Sequence, residues 1–306
     1  MTVFPSEFES HLSLDRLSIF LFHGVTTPRH HPVRNYTRKH ITADYFVQFC
    51  SALSQCGYVI SLNDVLAMWN SGASLPPNCF AITFDDGFAN NYTVACPILS
   101  DFNFPATFYI TTSFLNSHTP SWIDAIEIAL EVTMKKTVSH EVFGGVVPIR
   151  NSQEKQQLLN VIRERVKKAP SLNPLDFSEE ICKSLEVNVM AYLDDDLDRK
   201  LNDDEVIVIA KDALFEVGGH SHTHRILSYL DSHELDFEIS RSLEILKSIT
   251  GQPTIHYSYP EGQPNSYNET VIAALKARGI EICPTAIHGT NQIGSDLFSL
   301  RRITVA

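Results

Sequence analysis

The chain has 306 residues, 43% of them hydrophobic, enough to bury one large core or a core with an insertion. Its formal net charge of -12 argues against a nucleic-acid binder, which would carry a basic face. No run approaches the roughly 18 apolar residues of a membrane span, and residues 1–15 lack a basic stretch leading into an apolar one, so the expected location is the cytoplasm. Six cysteines (Cys50, Cys56, Cys79, Cys96, Cys182, Cys283) are scattered without a C-x-x-C pair, which favours reduced packing thiols over disulfides or a zinc ribbon.

In chain order, the apolar run 17–22 predicts a first strand ending in His23-Gly24. A polar loop over 26–40 follows, with Arg29, His30, His31, Arg34, Arg38 and Lys39. Thr42 reads as the N-cap of a helix through 55, with Gly57 beyond it; a short strand 58–60 and a helix 62–70 stopped near Gly72 come next. The stretch 80–84 is apolar at every position but Thr83, the mark of a strand buried on both faces, and it runs into Asp85-Asp86-Gly87. Then come a helix over 92–101, a strand over 106–110 and a helix over 122–132.

From 135 to 204 the alternation lapses into helical patches (154–168, 175–185) and the acids Asp194, Asp195, Asp196 and Asp198. We read this stretch as a helical insertion in a single 1–306 domain, with the acids as solvated surface because they lack the spacing and glycine of a calcium loop. Alternation returns with a helix 203–212, a strand 213–217, a long helix with apolar positions Leu235, Ile239, Leu243, Leu246 and Ile249, a strand 255–259, a helix 268–278, and strands 280–283 and 298–305. Strands alternating with helices predict a mainly parallel α/β sheet; closed into a barrel, it would place its chemistry at the strands' carboxyl ends.

Two adjacent carboxylates at such an end repel each other and lose hydration unless a positive charge joins them, and a bound metal is the simplest solution. Three histidines, His220, His222 and His224, follow Gly218-Gly219 at the end of another strand. His220 and His224 stand four positions apart, close enough for a tight loop to aim both at one point, and two imidazoles plus one carboxylate leave a position open for water. The plainer account of the histidines is a surface loop; the Asp85-Asp86 pair tips the balance to a metal site.

Thr83-Phe84-Asp85-Asp86-Gly87 and His220-Ser221-His222-Thr223-His224 resemble the first two motifs of the polysaccharide deacetylases (NodB-like, carbohydrate esterase family 4). The resemblance runs from Leu17 to Val305 outside the insertion. It implies a distorted (β/α) barrel and a divalent metal, Zn2+ first, with Ni2+, Co2+ or Fe2+ as alternatives, held by Asp86, His220 and His224. It also implies Asp85 as general base and an N-acylated amino sugar, in a glycan or glycan precursor, as substrate. His222 receives no role.

Ser258-Tyr259-Pro260-Glu261-Gly262 resembles the third motif, implying the Tyr259 backbone N–H as oxyanion donor and Pro260 in the groove wall. Position 258 departs from the family's usual arginine, which steadies the base, and Glu261 from its usual aromatic; Arg301 or Arg302 is the candidate substitute. The last motifs depart further: Ala286-Ile287-His288 stands where an Asp-Trp pair is common, and Leu300-Arg301-Arg302 replaces the Leu-x-His that supplies the general acid. That leaves His288, His23 or a metal-bound water to protonate the leaving amine. Trp122 and Asp124 resemble a Trp-x-Asp segment that would contact the sugar, although a packed tryptophan with a first-turn aspartate explains them equally well.

The expected activity is therefore metal-dependent N-deacetylation of an amino sugar. Deformylation of a lipid- or nucleotide-linked amino sugar is the near variant. A non-haem iron oxygenase, whose two-histidine-one-carboxylate triad has the same composition, and a degenerate glycan-binding protein are the distant ones. Oligomeric state is not legible.

Overall fold

The computed structural model describes residues 6–27, 31–116, 120–193 and 197–306. Arg29 and His30 of the polar loop, and Asp194, Asp195 and Asp196 of the acidic cluster, lie outside the described residues. Two compact units are present: unit 1 takes Met1–Thr27, His40–Asn116 and Lys200–Ala306, and unit 2 takes Pro28–Lys39 and Ser117–Arg199.

The strands in chain order are β1 (Ser18–Phe22), β2 (Gly24–Thr26), β3 (His40–Thr42), β4 (Tyr58–Val59), β5 (Cys79–Phe84), β6 (Ala106–Ile110), β7 (Thr137–His140), β8 (Gly145–Pro148), β9 (Phe215–Gly219) and β10 (Ile303–Thr304). Unit 1 is built on a six-stranded parallel sheet in the order β10-β1-β5-β6-β9, with β4 also on β5. Residues of β1, β5 and β6 are buried throughout, as expected for a parallel sheet covered on both faces. Alternation decides which cover each residue meets. Phe20, Phe22, Ile82, Phe84, Phe108 and Ile110 pack with Phe46, Phe49 and Leu53 of the helix Ala43–Cys56, while Ile19, Ala81 and Tyr109 pack on the other face with Ile282 and Leu300.

Among the described residues the ladder spans β10 to β9, and no further named strand extends it toward the expected distorted (β/α) barrel. Past β9 it continues as isolated parallel bridges, Gly219 to Tyr257 and His256 to Ile282, and another joins His288 to Arg302. The expected strands 255–259 and 280–283 are reduced to these bridges, and Pro260 and Pro284 directly after them lack the N–H with which a ladder could go on. The expected strand 298–305 forms a ladder only at Ile303–Thr304; just before it Arg302 makes the isolated bridge to His288, its N–H donating to the Ile287 carbonyl, and the Arg301 N–H donates to the Asn291 side chain.

In unit 2 the helices Trp122–Val132, Ser152–Lys167 and Pro174–Ser184 bury Ile126, Leu130, Leu159, Ile162 and Ile181, and β7 and β8 form an antiparallel hairpin. The unit starts earlier than the expected 135–204 insertion, takes in the helix Trp122–Val132, and ends at Arg199. Three acids on one side of that helix draw in the 31–39 segment. Glu131 accepts from the Val33 and Arg34 N–H groups (3.1 and 3.0 Å), Glu127 from the Asn35 N–H (3.0 Å), and Asp124 from Lys39 Nζ (2.9 Å).

Candidate metal and active site

The parallel register brings the exits of β1, β5 and β9 to one end of the sheet: His23 follows β1, Asp85 and Asp86 follow β5, and His220 follows β9. Asp86 and Gly87 both take left-handed backbone (φ 76° each), so the chain reverses sharply and presents the two aspartates in different directions. For the non-glycine residue this conformation costs of order 1–3 kcal/mol. At β9 a side chain on Gly219 would sit 2.6 Å from the Tyr257 ring, so only glycine lets the two backbones meet.

Asp86, His220 and His224 place one donor atom each within 4.8 Å of one another. Asp86 Oδ1 lies 3.6 Å from His220 Nε2 and 3.3 Å from His224 Nε2. Two ligands of a tetrahedral zinc, each at about 2.0–2.1 Å, would stand roughly 3.4 Å apart, so the spacing suits a small cation.

The chemistry of the donors agrees. His220 Nδ1 is 2.8 Å from the Ser258 carbonyl oxygen, which can only accept; Nδ1 therefore carries the hydrogen and Nε2 turns a lone pair toward Asp86. Burial lowers the His220 pKa to about 4, so near neutral pH no proton on His220 neutralises the carboxylate. Facing lone pairs with no proton between them call for a cation. The residues present fit one.

Asp85, 4% exposed, belongs to a different set of contacts. Arg302, fully buried, grips it with a two-pronged fork: one terminal nitrogen donates to Oδ1 (2.8 Å), the other to Oδ2 (2.7 Å). The guanidinium is itself fixed by Nε donating to the Thr285 carbonyl (2.6 Å) and by the Ser258 and Thr83 hydroxyls (2.9 and 3.2 Å). Burial pushes the Asp85 carboxyl upward, but Arg302, His220 and His23 together outweigh it, and the carboxyl lies below its ordinary value. Asp85 is 4.0 Å from His220 Nε2, the long contact of the group.

The remaining expected residues divide clearly. His23 is half-buried at the end of β1; the Asn91 side chain donates to its carbonyl (2.8 Å) and Asn90 accepts from the Val25 N–H (3.2 Å). Tyr259 is fully buried with its hydroxyl donating to the Phe298 carbonyl (3.0 Å), and Pro260 beside it is buried. Of the two candidate arginines, Arg302 reaches Asp85, whereas Arg301 is exposed and donates to the His288 carbonyl (3.2 Å). His288 is exposed, its ring edge-on to His11 at 5.5 Å. Trp122 and Asp124 fall in unit 2, where Trp122 packs into the core and Asp124 pairs with Lys39.

Ser258 emerges as more than a departure from a motif: it leaves room for Arg302 and accepts a hydrogen bond from it. Glu238, on the helix Ser232–Thr250, went unnoticed in the sequence, although it touches the histidine loop. Its only sequence signal was an acid on a face otherwise due to be apolar.

An aspartate-histidine cluster thus lies beside an arginine-held aspartate at the carboxyl end of a parallel sheet. The polysaccharide deacetylase family profile matches residues 72–174 and 180–283, and the chain belongs to that family. No curated protein sequence matches it. Among solved structures it is similar to a de-N-acetylase from Aggregatibacter actinomycetemcomitans (18% identity over 94% of each chain, TM-score 0.59). It is also similar to IcaB from Ammonifex degensii (16% identity, 97% of this chain and 94% of that, TM-score 0.59) and to the Streptococcus pyogenes deacetylase PplD in complex with acetate (15%, 96% and 93%, 0.57). At these identities the likeness is one of fold. Among the described residues, no helix is long and apolar enough to cross a membrane.

Proposed function

We propose that the chain is a metal-dependent amide hydrolase that removes an N-acetyl group from an amino sugar in a glycan or glycan precursor. The observation that carries this reading is the split between neighbouring aspartates: Asp86 faces two histidine nitrogens while Arg302 holds both oxygens of Asp85. Asp86, His220 and His224 would hold a divalent cation, zinc in the first instance, whose chemistry when bound is to acidify water and polarise an amide carbonyl.

Asp85 is the base. Its lowered pKa keeps it ionised, and the Arg302 fork keeps it directed while leaving each oxygen a lone pair. It takes a proton from the water that adds to the acetamide carbonyl carbon. The Tyr259 backbone N–H is assigned to the carbonyl oxygen as charge develops there. His23, half-buried and near enough to weigh on the Asp85 carboxyl, is the residue we assign to protonate the leaving nitrogen. The C–N bond then breaks to give acetate and the free amine. The same reading takes the bridges beyond β9 as the irregular side of a distorted barrel.

The test is to incubate protein of known metal content with N-acetylated and N-formylated amino sugars, free and carrier-linked, and measure the acid released. Acetate release, lost on chelation and cut by about 100-fold or more in Asp85→Asn with the metal retained, is the expected result. Formate would identify a deformylase, oxygen consumption an oxygenase, and no product from metal-loaded protein a binding module.

A further inference from the structure

All five backbone N–H groups of the loop that carries His220 and His224 are hydrogen-bonded, and three of its carbonyls accept as well. The His220 N–H donates to the Ile110 carbonyl (3.0 Å), the Ser221 N–H to the Tyr257 hydroxyl (2.9 Å), and the His224 N–H to the Ser221 hydroxyl (2.8 Å). The carbonyls of His220, Ser221 and His222 accept from the Thr111 hydroxyl and from the Thr112 and Ser113 N–H groups (3.1, 3.3 and 2.8 Å). Two N–H groups remain, those of His222 and Thr223, and both donate to a single oxygen of Glu238 (2.8 Å each); its other oxygen accepts from the Thr223 hydroxyl. Ser221 and His224 are held with φ of 61°, a conformation that side chains seldom adopt without such restraint. Glu238 is 3% exposed and is the one charged group among these partners.

We propose that Glu238 is a positioning residue that keeps the His220–His224 loop in its ligand geometry before any cation arrives, so that cation affinity depends on it. A carboxylate buried against two N–H groups and a hydroxyl gives charge-assisted hydrogen bonds, which are stronger than neutral ones. It acts through the loop's middle residues, so the ring nitrogens at either end stay aimed at Asp86. The inference rests on the cation reading above.

The experiment is titration of cation-stripped protein with Zn2+ against a chromophoric chelator, together with hydrogen exchange of the His222 and Thr223 amides in the stripped state. Glu238→Leu is expected to weaken Zn2+ binding by about 10–100-fold and to speed exchange at both amides. Glu238→Gln, whose carbonyl oxygen still accepts, should recover part of each loss. Thr223→Val removes a single bond and serves if Glu238→Leu does not fold; it should weaken binding several-fold. Equal affinities in wild type and these variants, or a lowered melting temperature with affinity unchanged, would overturn the positioning role alone. A wild-type chain that takes up no cation would overturn the cation reading and this inference with it.

Discussion

At the scale of single residues, the site turns on how Arg302 and His220 manage charge. Arg302 is fixed by five contacts, two of them to Asp85, and a lysine could not reproduce the fork. Arg302→Lys keeps the charge but frees the base to turn; kcat should fall by about 100-fold with KM little changed, as steady-state kinetics would show. Arg302→Ala leaves Asp85 buried and unmatched and should cost about 3–5 kcal/mol in urea denaturation. His220 makes a separate prediction about pH. Its folded value of about 4 lies below the ordinary 6.5, so between those values the unfolded chain takes up a proton that the folded chain refuses. Stability of the cation-free protein should therefore fall as pH drops through that window, by about 1.4 kcal/mol per unit at most. His220→Gln should flatten the slope. Asp85, with its pKa lowered from 3.8, adds a loss only below that pH.

At the scale of elements, the ends were the most legible parts. Thr42 caps its helix with a side-chain oxygen and Gly72 closes the next in left-handed backbone, as their residue types suggested, whereas Gly57 ends the first helix in extended backbone. Strand β6 and the helix Trp122–Val132 fall where the apolar pattern put them, because β6 is buried throughout and the helix is buried from Trp122 to Leu130. What hid was whatever depends on distant partners. The resemblance narrowed the partner of Asp85 to Arg301 or Arg302, but nothing local chose between them across 217 positions, and nothing marked Glu238 as the acceptor for a loop on another element. The Asn91–Ala95 turn is a π-helix where an ordinary helix was expected, and Asn91 in it reaches the His23 carbonyl. The bridge between β9 and Tyr257 gives this scale its prediction. In Gly219→Ala the new methyl meets a buried ring whose hydroxyl holds the Ser221 N–H, so the ring cannot step aside freely. The substitution should cost about 1–3 kcal/mol and weaken cation binding, read by denaturation and Zn2+ titration.

At the scale of the whole molecule, the chain leaves unit 1 twice, first for 28–39 and again for 117–199, and the two excursions make one compact unit. The lapse in alternation marks only part of the second excursion, from 135 on and without the helix Trp122–Val132, and gives no sign of the first, which is short, polar and held by carboxylates. Glu131 is the centre of that hold: it accepts from the Val33 and Arg34 N–H groups and lies 3.1 Å from His31 Nδ1. Burial raises its pKa, but the hydrogen bonds outweigh burial and keep the carboxyl below its ordinary value. Glu131→Ala removes the acceptor and leaves two backbone donors to find water, a loss of about 1–3 kcal/mol. Because those donors belong to the 31–39 segment, the effect should appear first as faster hydrogen exchange at Val33 and Arg34. Protection retained at β1 and β5 under the same conditions would show that the excursion opens locally. Protection lost there in step would mean that both units unfold as one cooperative body.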